Sequence, residues 1–174
     1  GWKLTHFEGG MHIPFFAKWP TKIKKGMKYD KRIHHTDIFS TILGAANIEH
    51  PKEITIDGVN LIPFLTNEKR GEPHETLYWK NVTYQAIIHD NWKLMRSKYP
   101  KEKEYLYNLG KDPYEQNNLA MSEPEIKSLL HEKLNTHIES MPEPSWPQSV
   151  FMPVDIDRPQ TEYKEGDELI YWPN

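Results

Sequence analysis

Three runs of strand length follow one another between residues 76 and 97, and this crowding constrains the fold more than any other feature of the chain. TLYWKN (76–81), YQAIIHD (84–90) and WKLMRS (92–97) are each of strand length and carry aromatic and apolar residues, with β-branched Thr76, Ile87 and Ile88 in the first two. Asp90-Asn91 makes a tight turn, so the last two should pair as a hairpin. EYLYNL (104–109) is a fourth strand, stopped by turn residues at 110–118. Next comes SEPEIKSLLHEKLNTHIESM (122–141), the clearest helix of the chain. Ser122 and Glu125 stand at capping-box spacing, and Pro124 lies in the first turn, where proline costs little. Ile126, Leu129, Leu130, Leu134, Ile138 and Met141 form one stripe. Four short strands and one striped helix predict a small antiparallel sheet covered by that helix.

The upstream part reads differently. HIPFFAKWP (12–20) predicts a short buried strand closed by Pro20. TKIKKGMKYDKR (21–32) is a basic connector with Gly26 at its turn, read as a solvated loop. TDIFSTILGAAN (36–47) predicts a helix capped by Thr36 and stopped at Asn47, with Ile38, Phe39, Ile42, Leu43 and Ala46 at helical spacing. IDGVNLIPFLTNEKRGEP (56–73) holds a turn at Asp57-Gly58, an apolar segment ending at Leu65, and a polar linker over roughly 66–75 that marks a boundary. The stretch 142–174, rich in proline and without sustained period, reads as an extended tail over the domain.

Composition narrows the classes. A chain of 174 residues can bury a real core. Net charge of -3 gives no overall electrostatic case for nucleic acid. No window approaches eighteen apolar residues, so no membrane helix is expected. The absence of cysteine excludes disulfides, thiolate zinc sites and a cysteine nucleophile within this stretch. The start at Gly1, directly before a patterned motif, suggests a truncated or processed chain.

The residues that could carry chemistry gather at the beginning. Lys3 is a compact cation, Thr5 offers a hydroxyl, and His6 can donate or accept a hydrogen bond. Together on a loop they suit a tetrahedral anion, although by themselves an exposed loop lysine and a structural glutamate at Glu8 are the simpler reading. Glu8-Gly9-Gly10 suggests a tight turn. The nine histidines show no metal-ligand spacing: His34 and His35 are adjacent, and His131 and His137 face different sides of a helix. No nucleophile elbow, phosphate-binding loop or dinucleotide fingerprint occurs. Asn81-Val82-Thr83 matches a glycosylation acceptor by a short pattern only.

The order of the segments carries a resemblance. KLTHFEGGMHIPFFAKWP resembles K-x-T-x-F/Y-E-G-G-x-R-x-P-x-x-x-x-W-P of the formylglycine-dependent, type I sulfatase family. His12 stands where the family usually has arginine. HHTDIFSTILGAA is similar to the family's V-D-L/I-x-P-T-L/I-L helix, with Ser40 in place of proline. DGVNLIPFL is similar to D-G-x-S/D-L-x-P-x-L. HDNWKLMRS with EYLYNLGKDPYEQNNLA is similar to the C-terminal W-K-L, L-Y-D/N-L and D-P-x-E-x-x-N-L run.

The resemblance implies an α/β fold: the C-terminal part of an alkaline-phosphatase-like enzyme. Residues 1–66 would end the large domain, 70–141 would form the small subdomain with four antiparallel strands under one long helix, and 142–174 would be the tail. It also implies hydrolysis of sulfate esters by a formylglycine hydrate with calcium assistance. Both groups would be supplied by the upstream part of the same enzyme, and none bound by this chain alone, which should then be inactive. By position Lys3 would contact the sulfate and stabilise the leaving oxygen. Thr5, His6, His12 and His74 are the expected substrate contacts. A sulfated carbohydrate or small molecule is the expected substrate, and export to the periplasm or medium the expected location. Two other readings stay open: a phosphonate or phosphate ester hydrolase of the same superfamily, and a non-catalytic binding or assembly module.

Overall fold

The computed structural model describes residues 5–81, 84–97, 102–143, 145–146, 151–155 and 169–173, the last two segments by backbone only. The expected catalytic Lys3, Val82 and Thr83 of the glycosylation match, and most of the 142–174 tail lie outside the described residues. The chain divides into two compact units, residues 1–14 with 76–174, and residues 15–75.

In the first unit, β1 (Thr76–Lys80), β2 (Tyr84–His89), β3 (Trp92–Ser97) and β4 (Lys103–Asn108) form an antiparallel sheet in sequence order. The Asp90-Asn91 turn sets the hairpin register, with His89 opposite Trp92. Asp90 has φ of 50°, the left-handed conformation that tight hairpin turns require. Strand alternation then sorts side chains between the two faces. Ile87, Leu94 and Leu106 face α4 (Pro124–Ser140), where Leu130 and Leu134 are buried and Ile126 and Ile138 pack at the margin. Leu129 and Met141 of the expected stripe are largely exposed. Tyr84, Ala86, Ile88, Met95, Tyr105 and Tyr107 face the other way, onto Phe7 and Met11. The sheet is thus covered on both sides, by a helix behind and by the N-terminal strip in front.

The outer edge of β4 is closed by the loop that follows it. Asn118 Oδ1 accepts from the amides of Leu106 and Ala120, and its Nδ2 donates to the Glu104 carbonyl, each at 3.0 Å. These bonds occupy backbone groups that an open edge would offer to another strand. The expected capping box is not formed: α4 starts at Pro124 after Glu123, without a side-chain cap, and Ser122 Oγ donates to the Leu119 carbonyl instead. The turn at Leu119–Ser122 holds the hydroxyl on its own backbone, a common competing use of serine. In the tail, β5 (Phe151–Asp155) and β6 (Leu169–Pro173) pair antiparallel as a separate two-stranded ladder.

In the second unit, α2 (Asp37–Ala45) and α3 (Ile62–Leu65) are joined by an irregular segment. Asn47, at φ 54°, ends α2 as expected from the sequence, with the Ile48 amide donating back to the Leu43 carbonyl at 2.9 Å. Two expectations fail here. Residues 12–19 form no strand, and Ile13, Phe15 and Phe16 are exposed, Phe16 at 88%. An apolar run becomes a strand only when a neighbouring strand takes up its backbone hydrogen bonds, and the second unit has no strand among its described residues. Thr36 makes no cap bond to the helix, and the buried face of α2 is polar: Asp37 and Ser40 are fully buried, while Ile38, Phe39 and Ile42 point outward.

Candidate functional site

The front of the sheet holds the strip that the sequence singled out. Thr5 is buried and Phe7 is driven between Tyr105 and Tyr107, edge-on to Tyr105 at 5.3 Å. Phe7 anchors a single helical turn, α1 (Glu8–Met11), whose Gly10 and Met11 amides donate to the Phe7 carbonyl. The two glycines therefore serve a one-turn helix rather than a strand entry.

Glu8 fixes this turn by charge. Lys93, on the front face of β3, is completely buried. Its Nζ donates to Glu8 Oε1 at 2.9 Å and makes an ion pair with Glu115 Oε1 at 2.7 Å. The Glu8 backbone amide donates to Glu115 Oε2 at 2.7 Å. A buried ammonium must be compensated, and here two carboxylates do so. Glu8 lies 85 residues from Lys93 and 107 from Glu115. These three are the glutamate of E-G-G, the lysine of W-K-L and the glutamate of D-P-x-E. The motifs that seemed independent in sequence meet in one ion cluster, which clamps the Thr5–Met11 strip to the sheet.

His6 stacks on the buried Tyr84 ring, centroids 5.5 Å apart and planes 12° from parallel. Burial, with help from the Lys93 charge, lowers its pKa to about 4. The imidazole is neutral at physiological pH and can act through a hydrogen bond rather than a charge. Its Nδ1 is buried without a hydrogen-bond partner among the described residues. His12, by contrast, has a side chain 81% exposed and pairs with Glu8 Oε2 at 3.2 Å. Thr5, His6 and His12 thus share one short strip.

His74 belongs to the second unit, in a different network. Its Nε2 contacts both carboxylate oxygens of Asp37, at 2.8 and 2.9 Å. Asp37 also accepts from the amides of His34 at 2.7 Å and Val59 at 2.9 Å. Ser40 Oγ donates to the Gly58 carbonyl at 2.7 Å. A Cβ on Gly58 would lie 2.1 Å from the Thr36 carbonyl oxygen. The aspartate of one motif and the glycine of the next are therefore a matched pair, locking α2 to the 57–61 segment. Burial, then the neighbouring His35, lowers the pKa of His34, against the opposing pull of Asp37.

Sequence reasoning missed Lys93, Glu115 and Asp37 as organising residues, although all three are motif letters. A groove of about 450 Å³ lined by Tyr78, Leu129 and His137 lies on the α4 side of the sheet, away from the strip. Calcium needs six to eight oxygen ligands. Among the described residues no group of three or more His, Asp or Glu side chains is placed to hold a metal ion. No described helix is long and apolar enough to cross a membrane.

The known proteins agree with this architecture. Residues 2–142 match the family described as N-sulphoglucosamine sulphohydrolase, C-terminal. The chain belongs to the sulfatase family. This sulfatase chain is 44% identical over 79 residues to the uncharacterized sulfatase YdeN of Escherichia coli K12, covering 45% of itself and 14% of that protein. It is 26% identical over 178 residues to human steryl-sulfatase, covering 82% of itself and 30% of the relative. A solved structure from work on the metabolism of multiple glycosaminoglycans by Bacteroides thetaiotaomicron superposes with a TM-score of 0.61 at 26% identity, over 75% of this chain and 30% of that one. The fold is thus that of the alkaline-phosphatase-like sulfatases, and the chain spans at most a third of these relatives' length.

Proposed function

We propose that this chain is the C-terminal part of a hydrolase of sulfate esters, acting on a sulfated carbohydrate. The observation that carries the reading is the clamped strip. Glu8, Lys93 and Glu115 fasten residues 5–11 to the sheet. In this reading Lys3 contacts the sulfate and stabilises the negative charge that develops on the leaving ester oxygen. His6, neutral and held on Tyr84, contacts substrate by a hydrogen bond through its unused Nδ1. Thr5 and His12 belong to the same strip and are substrate contacts in this reading, as is His74, which Asp37 holds within the second unit. The nucleophile and the calcium site belong to an upstream part of the enzyme, which also covers Ile38, Phe39 and Ile42 and pairs with the 12–17 segment. The choice of a carbohydrate follows the glycosaminoglycan context of the structural relative. Export to the periplasm or medium is part of the proposal.

The test is an assay of the complete enzyme on an aryl sulfate, a sulfated sugar, a sulfated steroid and a phosphonate monoester. Sulfated sugar should be turned over best. Lys3→Ala should lower kcat/KM by roughly 10²-fold or more. Preference for the phosphonate ester, or an unchanged kcat/KM in Lys3→Ala, would overturn the assignment.

A further inference from the structure

We propose that the basic segment 18–32 is a binding surface for the sulfated polysaccharide itself, engaging sulfate groups other than the one being cleaved. This rests on the carbohydrate-sulfate reading above. Within 18–32 stand seven Lys and Arg against one Asp, a local balance of +6 in a chain of net charge -3. Such concentration of one sign on one loop is what a polyanion selects.

The loop is built to display these charges. Its backbone is pinned by two tight turns: the Lys22 and Ile23 amides donate to the Trp19 carbonyl at 2.9 and 2.7 Å, and Met27 to Lys24 at 3.3 Å. Gly26, at φ 73°, supplies the left-handed step within the second turn. Ile23, Met27 and Tyr29 are half-buried and hold the loop down, while Lys18, Lys22, Lys24, Lys25 and Lys28 are all exposed. Lys31 pairs with Glu72 at 3.1 Å. The five exposed lysines have no ion-pair partner among the described residues. A loop lysine that served only solubility would be as well placed beside a carboxylate; five left without one keep their charge for an external anion.

The polymer is the occupant this charge pattern fits. Lysine ammonium groups are point charges, suited to sulfate monoanions arrayed along a chain without demanding one geometry. Because the polymer repeats its sulfates, a contact with sulfates other than the scissile one still lengthens residence on the enzyme.

The experiment uses the complete enzyme, wild type and with Lys18, Lys22, Lys24, Lys25 and Lys28 all changed to Gln. Both are run on immobilised heparin under a salt gradient, and assayed on a small aryl sulfate and on a sulfated polysaccharide. The variant should elute earlier. Its kcat/KM on the polymer should fall roughly tenfold at 0.1 M ionic strength, through KM, five exposed contacts each at the weak end of surface ion pairs multiplying to about that factor. The loss should fade at high salt. Activity on the aryl sulfate should stay within about twofold, since none of the five residues is placed in the site. Co-elution of the two proteins from heparin, or an equal loss on both substrates, would overturn the proposal. So would retention of duplex DNA or phosphatidylserine vesicles as tightly as heparin at equal ionic strength. If the enzyme turns over no sulfate ester, the hydrolase reading fails, while the heparin column still decides this one.

Discussion

Replacing Lys93 by methionine removes the charge that clamps the N-terminal strip. Methionine keeps the length and most of the volume, so packing changes little and the effect is electrostatic. The ammonium is completely buried, 2.9 Å from Glu8 and 2.7 Å from Glu115. At an effective dielectric constant near 20, each such pair is worth more than about 4 kcal/mol in gross attraction. Several kcal/mol of desolvation offset that gain, so the cluster adds little net stability compared with apolar residues. Breaking it is another matter. Without Lys93, Glu115 is left nearly buried and facing a second carboxylate, and the cost should be about 3–5 kcal/mol. The cost falls on local seating, so amide hydrogen exchange at residues 7–11 and 112–117 of the complete protein is the measurement. Exchange there should accelerate roughly 10²- to 10⁴-fold, while the exposed Lys111→Met stays within about 0.5 kcal/mol of wild type. Adding Glu115→Gln to Lys93→Met should recover about 2 kcal/mol, because the stranded charge is gone. If Lys93→Met alone leaves exchange at 7–11 within about threefold of wild type, the clamp is not electrostatic and the account of the three motifs is wrong.

Three further outcomes follow from the same geometry. His6, with a folded pKa of about 4 against 6.5 unfolded, binds fewer protons in the folded state, so stability falls as pH drops from 6.5 towards 4; the full loss is about 3 kcal/mol, and NMR titration of His6 should show the low midpoint. Asp37→Ala strands the His34 and Val59 amides and the His74 ring, and a loss of about 3 kcal/mol or more is expected by chemical denaturation, with Asp37→Asn losing less. Gly58→Ala places a methyl 2.1 Å from the Thr36 carbonyl and should cost about 1–3 kcal/mol and lower Tm, whereas Gly71→Ala meets no atom and pays only for its positive φ.

The parts legible in sequence were those fixed by neighbours along the chain. The Asp90-Asn91 turn, the four strands it helps align and the long helix each declare themselves within a dozen residues. What escaped reading depends on distant partners. A buried Lys93 has the same letter as the exposed Lys111, and only the fold brings it to Glu8 and Glu115. The run at 12–20 has the composition of a strand but lacks a strand to pair with among the described residues of its unit. In α2 the apolar spacing suggested an inward face, yet the buried side is Asp37 and Ser40, because those side chains satisfy backbone groups of the 57–61 segment. Ser122 and Glu125 had the right spacing for a cap, but the turn before Pro124 uses the hydroxyl locally. For the site, the resemblance located the strip, while the reason the strip is rigid lay in motif letters far downstream.

The separation of 107 positions from Glu8 to Glu115 also sets a timetable. During synthesis, the strip leaves the ribosome before any of its anchors. At about 5–20 residues per second, the strip waits roughly 5–20 s for Glu115. Until Lys93, Tyr105 and Tyr107 have been made, Phe7 has no aromatic slot and Glu8 no cation. Any ribosome that stops between β3 and the 110–118 loop releases a chain whose most ordered-looking motif is still adrift. Synthesis through the 110–118 loop, rather than folding of the earlier residues, is what seats the strip on the sheet.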